Sequence, residues 1–206
     1  MSKSKYVWEN DEIHRGYEYN NINTWKGRQI DYLFDFIENE FSFTSSGTKV
    51  LDIGCNAALN LKSFKEKYYN ENNEYYGFDL NDTALNFAIK NVPEGKFKKC
   101  NFLIENPINN FDNDFFDICF STWVLSHINL SNEREALIQD MIRTSKRGII
   151  YEAYRDTPGE RYMIGTPSEF NVVVFDDYSS YSKVVKLHSI KHEDTESGLF
   201  YWNKTK

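Results

Sequence analysis

The sequence predicts an α/β protein in which helices cover both faces of a doubly wound, mostly parallel β-sheet. Short apolar segments suited to buried strands alternate along the chain with helical segments, and this alternation is typical of parallel sheets. Near the C-terminus, strand-like segments follow one another without a clear helical pattern between them. This predicts an antiparallel strand at the C-terminal edge of the sheet.

The individual elements follow from the spacing of apolar residues. An amphipathic helix is predicted from Trp25 to about Phe41, where apolar residues recur at intervals of three and four. The predicted strands after it are 49–54, 75–79, 96–102, 115–121 and 148–152, and the predicted helices are 59–69, 82–90 and 132–145. The late β-like segments are 171–175, 182–190 and 199–202.

The length of 206 residues suits a single domain. We divide residues 1–206 into an N-terminal arm and helix (1–47), a core expected to bind a cofactor (48–152), and a C-terminal part of substrate-side loops and late β-strands (153–206). The aromatic arm before the first helix is either a plain ordered or frayed segment or a flap over the active site.

Charge and cysteine content exclude several classes of protein. The formal net charge of −7 disfavours nucleic acid as a partner, because phosphate backbones bind clustered Lys and Arg. The three cysteines form no C-x-x-C pair, which argues against a disulfide framework or a structural metal site. The N-terminus has no apolar stretch of a signal peptide, and no segment reaches the length of a membrane span. We therefore expect a cytoplasmic protein with reduced thiols.

A ligand site is expected where the first two strands of the core end, because open α/β sheets bind ligands beyond the carboxyl ends of their strands. The first strand leads into a turn at Gly54, which leaves room for a ligand. The second strand ends at Asp79, whose carboxylate suits a ribose diol. Asn56 and Ala58 stand where a dinucleotide fingerprint carries glycine, which disfavours pyrophosphate binding and a nicotinamide oxidoreductase.

Four segments together resemble motifs of the class I S-adenosylmethionine-dependent methyltransferases, a superfamily with a Rossmann-like fold. They occur in the family's order and lie at 50–58, 76–81, 116–128 and 143–152. The resemblance covers residues 48 to 152, and it is specific for the superfamily but not for the substrate. Asn56 and Ala58 depart from the pattern, because they replace two of the family's glycines.

The resemblance implies S-adenosylmethionine as the cofactor and assigns nine residues to it. Its methionine end is expected to contact Asp52, Gly54 and Asn56, and its ribose is expected to contact Asp79. The residues expected near the adenine are Leu80, Asn101 and Phe102, and those expected near the sulfonium are Ser121 and Thr122.

Methyl transfer from a sulfonium is a displacement in which the protein mainly aligns the acceptor, and a hydroxyl acceptor also benefits from a base. His127, just past the fourth predicted strand, is our candidate catalytic base; the alternative is a structural histidine at a helix end or in the core. No metal is expected. The candidate substrate residues are His14, Trp123, Glu152, Tyr154, Arg155 and Tyr178.

The favoured function is methyl transfer to a hydroxyl or amine of a small molecule or glycan. One alternative is an RNA or protein methyltransferase, which the acidic charge disfavours, as does Ser121-Thr-Trp-Val in place of an Asn/Asp-Pro-Pro-Tyr motif. The other is a non-catalytic S-adenosylmethionine-binding module or partner subunit on the same fold.

Overall fold

The computed structural model describes residues 34, 37–39, 47–102, 104–122, 124–125, 131–154, 186–191 and 196–203. Residues 34 and 37–39 are helical and lie within the helix predicted for 25–41. The helices that follow are α1 (Leu59–Lys67), α2 (Asp82–Asn91) and α3 (Ser131–Thr144). The strands are β1 (Lys49–Ile53), β2 (Glu74–Asp79), β3 (Lys96–Lys99), β4 (Phe116–Thr122), β5 (Ser145–Tyr154), β6 (Lys186–Lys191) and β7 (Glu196–Asn203).

Within the described residues, seven strands form one sheet in the order β3-β2-β1-β4-β5-β7-β6. Strands β1 to β5 are parallel to their neighbours, which confirms the predicted Rossmann-like α/β fold. The chain moves outward from β1 in both directions, so the order reverses between β1 and β4. A reversal of this kind opens a crevice at the carboxyl ends of the two strands.

The antiparallel strand lies one place inside the predicted edge. β7 pairs antiparallel with both β5 and β6, so β6, which is the outermost of the described strands on this side, runs parallel to β1–β5. The prediction of an antiparallel strand at the edge itself is therefore wrong. The physical reason is that the last strand inserts between two others, where its backbone groups find partners on both sides. The predicted segment 171–175 lies outside the described residues.

Each face of the sheet carries its own hydrophobic core. β1 is almost wholly buried, as expected for a central parallel strand that is covered on both sides. One core joins Leu51 and Ile53 of β1 to three residues of α3, Leu137, Ile138 and Met141. On the other face, the core consists of Val50 and Tyr75 from the sheet, Leu61 and Phe64 from α1, Ala88 from α2, and the helical residues Phe34 and Ile37.

The connection between β3 and β4 is held by Arg143 of α3. Its guanidinium donates hydrogen bonds to the backbone carbonyls of Ile108, Asn109 and Phe111 at 2.7–3.2 Å. Its Nε also donates to Asp140 at 2.7 Å. One side chain with a rigid fork of donors therefore satisfies several carbonyls of a turn that has no sheet partner.

Cys55, Cys100 and Cys119 are buried free thiols. Within the described ranges, no helix is both long and apolar enough to span a membrane. No group of His, Cys, Asp or Glu side chains in those ranges is arranged to hold a metal ion.

Candidate functional site

The loop after β1 lies against the end of β2. The backbone N–H groups of Gly54 and Cys55 both donate to the carbonyl of Phe78, at 2.7 and 3.0 Å. Gly77 makes this close approach possible, because a Cβ at that position would lie 2.7 Å from the sulfur of Cys55. The loop from β1 is thus fixed to β2 before α1 begins.

This loop is left-handed at alternate residues. The φ angles are 72° at Gly54, 48° at Asn56 and 56° at Ala58. Ala58 is the N-cap of α1 and makes no capping hydrogen bond through its side chain. The backbone therefore adopts, at all three positions, the conformation that glycine favours, although only the first is glycine. An L-residue in this region costs about 1–2 kcal/mol, and Asn tolerates it better than Ala.

Asp79, at the end of β2, connects this strand to the loop that follows β1. One carboxylate oxygen accepts from the backbone N–H of Asn56 at 2.8 Å, and the other accepts from Asn81 at 2.9 Å. Asn81 in turn caps α2 by accepting from Ala84 at 2.7 Å. Each oxygen of an ionised carboxylate can accept more than one hydrogen bond. Asp79 therefore fixes both the loop after β1 and the start of α2 through one carboxylate.

Asp52, near the end of β1, is a buried carboxylate. Its side chain is 0% exposed, and Oδ2 accepts from Nδ2 of Asn60 at 3.4 Å. Oδ1 has no hydrogen-bond partner among the described residues. Burial, with a smaller contribution from the charge of Asp79, raises the pKa of Asp52 well above its ordinary value. A buried carboxylate in this state favours a cationic ligand, because a positive charge compensates the lost hydration.

At the end of β4, two hydroxyls form hydrogen bonds to neighbouring elements, one to β1 and one to α1. The hydroxyl of Ser121, fully buried, donates to the carbonyl of Ile53 in β1 at 3.1 Å. The hydroxyl of Thr122 accepts from Nδ2 of Asn60 at 3.0 Å. Ser121 therefore joins β4 to β1, and Thr122 belongs to the same hydrogen-bonded group as Asp52.

The residues predicted near adenine lie beside Asp79. The backbone N–H of Cys100 donates to the carbonyl of Asp79 at 2.8 Å, which brings the end of β3 next to that of β2. Leu80 and Asn101 follow directly and are half-buried. Phe102 packs against the core that includes α3. The structure therefore brings these three candidates to neighbouring strand ends.

The candidates for catalysis and for substrate binding are less fully described. Glu152 and Tyr154 lie in β5, and Glu152 pairs in register with Thr122 of β4. Both therefore lie in the strand beside β4, which borders the crevice. The remaining candidates, His127, His14, Trp123, Arg155 and Tyr178, lie outside the described residues.

Sequence reasoning missed two residues at this site, Asn60 and Val124. Asn60 had a detectable signal, since it is a polar residue between Leu59 and Leu61 in the first turn after the loop, and all three are buried. Val124 packs over Gly54, and a Cβ built on Gly54 would overlap it. Nothing in the sequence around Val124 indicates this contact.

The site suits S-adenosylmethionine on two counts taken from the structure. The oxygen of Asp52 that lacks a partner is a fitting acceptor for an ammonium group. The carboxylate of Asp79 is held in place by backbone N–H groups, and a carboxylate is a suitable acceptor for the hydroxyls of a ribose.

The strand order and the crevice between β1 and β4 define a Rossmann-like α/β protein. A family model described as "Methyltransferase domain" matches residues 44–196, and the chain belongs to that family. This match confirms the predicted membership of the class I methyltransferases, with S-adenosylmethionine as cofactor.

Solved structures support the fold. The chain resembles the PH0226 protein from Pyrococcus horikoshii OT3, with 16% identity, a TM-score of 0.67, and coverage of 93% of this chain and 98% of that one. It also resembles magnesium protoporphyrin IX methyltransferase from Synechocystis PCC 6803, solved with SAH. The identity is 13%, the TM-score is 0.61, and the match covers 88% of this chain and 84% of that one. A third similar structure is geranyl diphosphate C-methyltransferase from Streptomyces coelicolor A3(2), with 12% identity, a TM-score of 0.62, and coverage of 86% of this chain and 75% of that one. A search of curated proteins finds no significant match.

Proposed function

We propose that this methyltransferase binds S-adenosylmethionine across the ends of β1, β2 and β3 and methylates a hydroxyl or amine of a small molecule or glycan. The observation that carries the proposal is the junction at Asp79. Its carboxylate holds the loop after β1 through the N–H of Asn56, at 2.8 Å. A single carboxylate thus helps to fix the loop after β1 at the place where the ribose is expected to bind.

The proposed roles follow the positions of the side chains. Asp52 would hold the ammonium group of the cofactor, and Asp79 would hold its ribose hydroxyls. Gly54 and Asn56 would line the methionine end through the backbone of the left-handed loop. The proposed adenine and sulfonium contacts are Leu80, Asn101, Phe102, Ser121 and Thr122.

When bound, the cofactor supplies an electrophilic methyl group on sulfur. The chain then has to exclude water and align the acceptor, which accounts for much of the rate in displacements of this kind. For a hydroxyl acceptor, His127 is the proposed base, since histidine accepts a proton near neutral pH. His14, Trp123, Glu152, Tyr154, Arg155 and Tyr178 are the proposed substrate residues.

A small acceptor is supported by two observations. The names of two neighbours specify magnesium protoporphyrin IX and geranyl diphosphate as the molecules on which those proteins act. The net charge of −7 disfavours a nucleic-acid acceptor.

Calorimetric titration with S-adenosylhomocysteine tests the cofactor site. Asp79→Asn removes the charge that would accept the ribose hydroxyls, so we expect affinity to fall by about 1–3 kcal/mol. Asp82→Asn is the matched control, because Asp82 is an exposed acid at the start of α2 and should leave affinity unchanged. Equal affinity of wild type and Asp79→Asn would refute the proposed site.

Methyl transfer from radiolabelled S-adenosylmethionine tests the acceptor class. Separate pools of small molecules, glycans, RNA and protein would be offered, and we expect label in the first two. Label in RNA or protein would overturn the acceptor proposal, and cofactor binding without label in any pool would indicate a non-catalytic module. Undiminished turnover in His127→Ala would remove the proposed base.

A further inference from the structure

Asn60 connects three elements at the crevice. It is the second residue of α1 and is 5% exposed. Its Nδ2 lies 3.4 Å from Oδ2 of Asp52 in β1 and 3.0 Å from Oγ1 of Thr122 in β4. An amide nitrogen carries two hydrogens, so it can donate to both at once. This single side chain therefore bridges β1 and β4 at the point where the strand order reverses.

The bridge leaves one carboxylate oxygen available. Oδ2 of Asp52 accepts from Asn60, whereas Oδ1 has no partner within the part of the chain described. Burial and the charge of Asp79 raise the pKa of Asp52, while the hydrogen bond from Asn60 lowers it. A neutral amide offsets little of the cost of burying a charge. The environment of Asp52 is therefore incomplete without a cation.

We infer that Asn60 is a positioning residue: its amide, itself anchored on Thr122, holds Oδ2 of Asp52, so that Oδ1 is left to accept the α-ammonium of the cofactor. This inference rests on the proposed function, since it requires the methionine end to lie at β1. It adds a residue that would not touch the cofactor itself but would determine the position of Oδ1 of Asp52, the atom that accepts the hydrogen bond from the ammonium.

The inference predicts selectivity for one functional group. Deamino S-adenosylhomocysteine, in which hydrogen replaces the α-ammonium, retains the nucleoside, the sulfur and the carboxylate. Loss of Asn60 should weaken only the ligand that carries the ammonium. A merely structural role would weaken both ligands alike, so the ratio of the two affinities separates positioning from general damage.

The experiment is calorimetric titration of wild type, Asn60→Ala, Thr122→Val and Asn91→Ala with each of the two ligands. Asn91 is the matched control, since its side chain supports the same loop by donating to the carbonyl of Ala57 at 2.8 Å. We expect wild type to prefer S-adenosylhomocysteine by about tenfold or more, as for a charge-assisted hydrogen bond.

In Asn60→Ala this preference should fall roughly tenfold, with affinity for the deamino ligand within about twofold of wild type. In Thr122→Val the preference should fall by about threefold, because Asn60 loses one of its two partners. Asn91→Ala should keep the wild-type preference. Thermal melting of each variant checks that it is folded.

An unchanged preference in Asn60→Ala, or an equal loss for both ligands, would overturn the inference. If that variant does not fold, an unchanged preference in Thr122→Val overturns it. Wild-type protein that binds both ligands equally would also overturn it, while leaving the cofactor site intact. Wild-type protein that binds neither would instead refute the proposed function, so the two failures are distinguishable.

Discussion

The side chain of Val124 lies directly over the α-carbon of Gly54, in the space that a Cβ would occupy. The segment just after β4 is thus packed against the loop after β1 by a contact that requires a glycine. The φ angle of 72° imposes a second, independent requirement. The two requirements can be separated by mutation.

We expect Gly54→Ala to destabilise the protein by about 2–5 kcal/mol, combining 1–2 for the left-handed conformation with 1–3 for the overlap. Gly47→Ala is the matched control, since its φ is 63° and a Cβ there would meet its nearest atom at 3.8 Å. It should show only the conformational cost. Urea unfolding measures both.

The double variant Gly54→Ala with Val124→Ala tests the overlap. It should be more stable than the sum of the single effects predicts, because the smaller side chain removes the clash. Strict additivity would show that Val124 does not account for the requirement for glycine.

A comparison of neighbouring alanines tests the left-handed conformation of Ala58. Ala57 and Ala58 are both 0% exposed, but only Ala58 has a positive φ. Substitution by Gly removes a buried methyl and loosens the unfolded chain at either position, whereas it relieves strain only at 58. Ala58→Gly should therefore cost about 1 kcal/mol less than Ala57→Gly in urea unfolding. Equal costs would contradict a strained Ala58.

The pH dependence of stability should include a contribution from Glu74. Hydrogen bonds from Lys96 and from the hydroxyl of Tyr76 lower the pKa of Glu74 from 4.5 to about 2. A lowered pKa in the folded state stabilises the protein above pH 4.5, and this contribution is lost as the pH falls toward about 2. Because 35% of the side chain is exposed, solvent screening keeps the effect small.

Melting temperatures between pH 7 and pH 2 check this. Glu74→Gln should be less stable than wild type near neutrality and converge with it at the acidic end. The control is Glu71→Gln at an exposed position in the preceding turn, which should run parallel to wild type. A constant gap between Glu74→Gln and wild type would argue against titration of Glu74.

Arg143→Lys should cost on the order of 2 kcal/mol, although it keeps the charge, because an ammonium cannot span the carbonyls that the guanidinium reaches. Lys146→Ala is the control. The side chain of Lys146 is 63% exposed and forms an ion pair with Asp117 at 3.8 Å, so Lys146→Ala should change stability by no more than about 0.5 kcal/mol. Chemical unfolding compares the two, and equal effects would show that Arg143 acts only as a surface charge.

The sequence alone determined the parts of this protein that depend on local order. Alternating strands and helices predict the parallel sheet, because strand and helix periods are local properties. Asp52, Gly54 and Asp79 were identifiable because each stands at the end of a buried strand, and such ends meet at one edge of the sheet. The family membership, which the match to residues 44–196 confirms, was likewise predicted from motifs read in chain order.

Only the tertiary structure decided which distant groups touch. Asn60 meets Thr122 across 62 positions, Val124 covers Gly54, and β7 inserts between β5 and β6. Asn56 and Ala58 adopt left-handed backbone that their residue types do not favour. The physical reason is that packing energies between segments far apart in the chain exceed local preferences of about 1–2 kcal/mol, and no local pattern encodes those contacts.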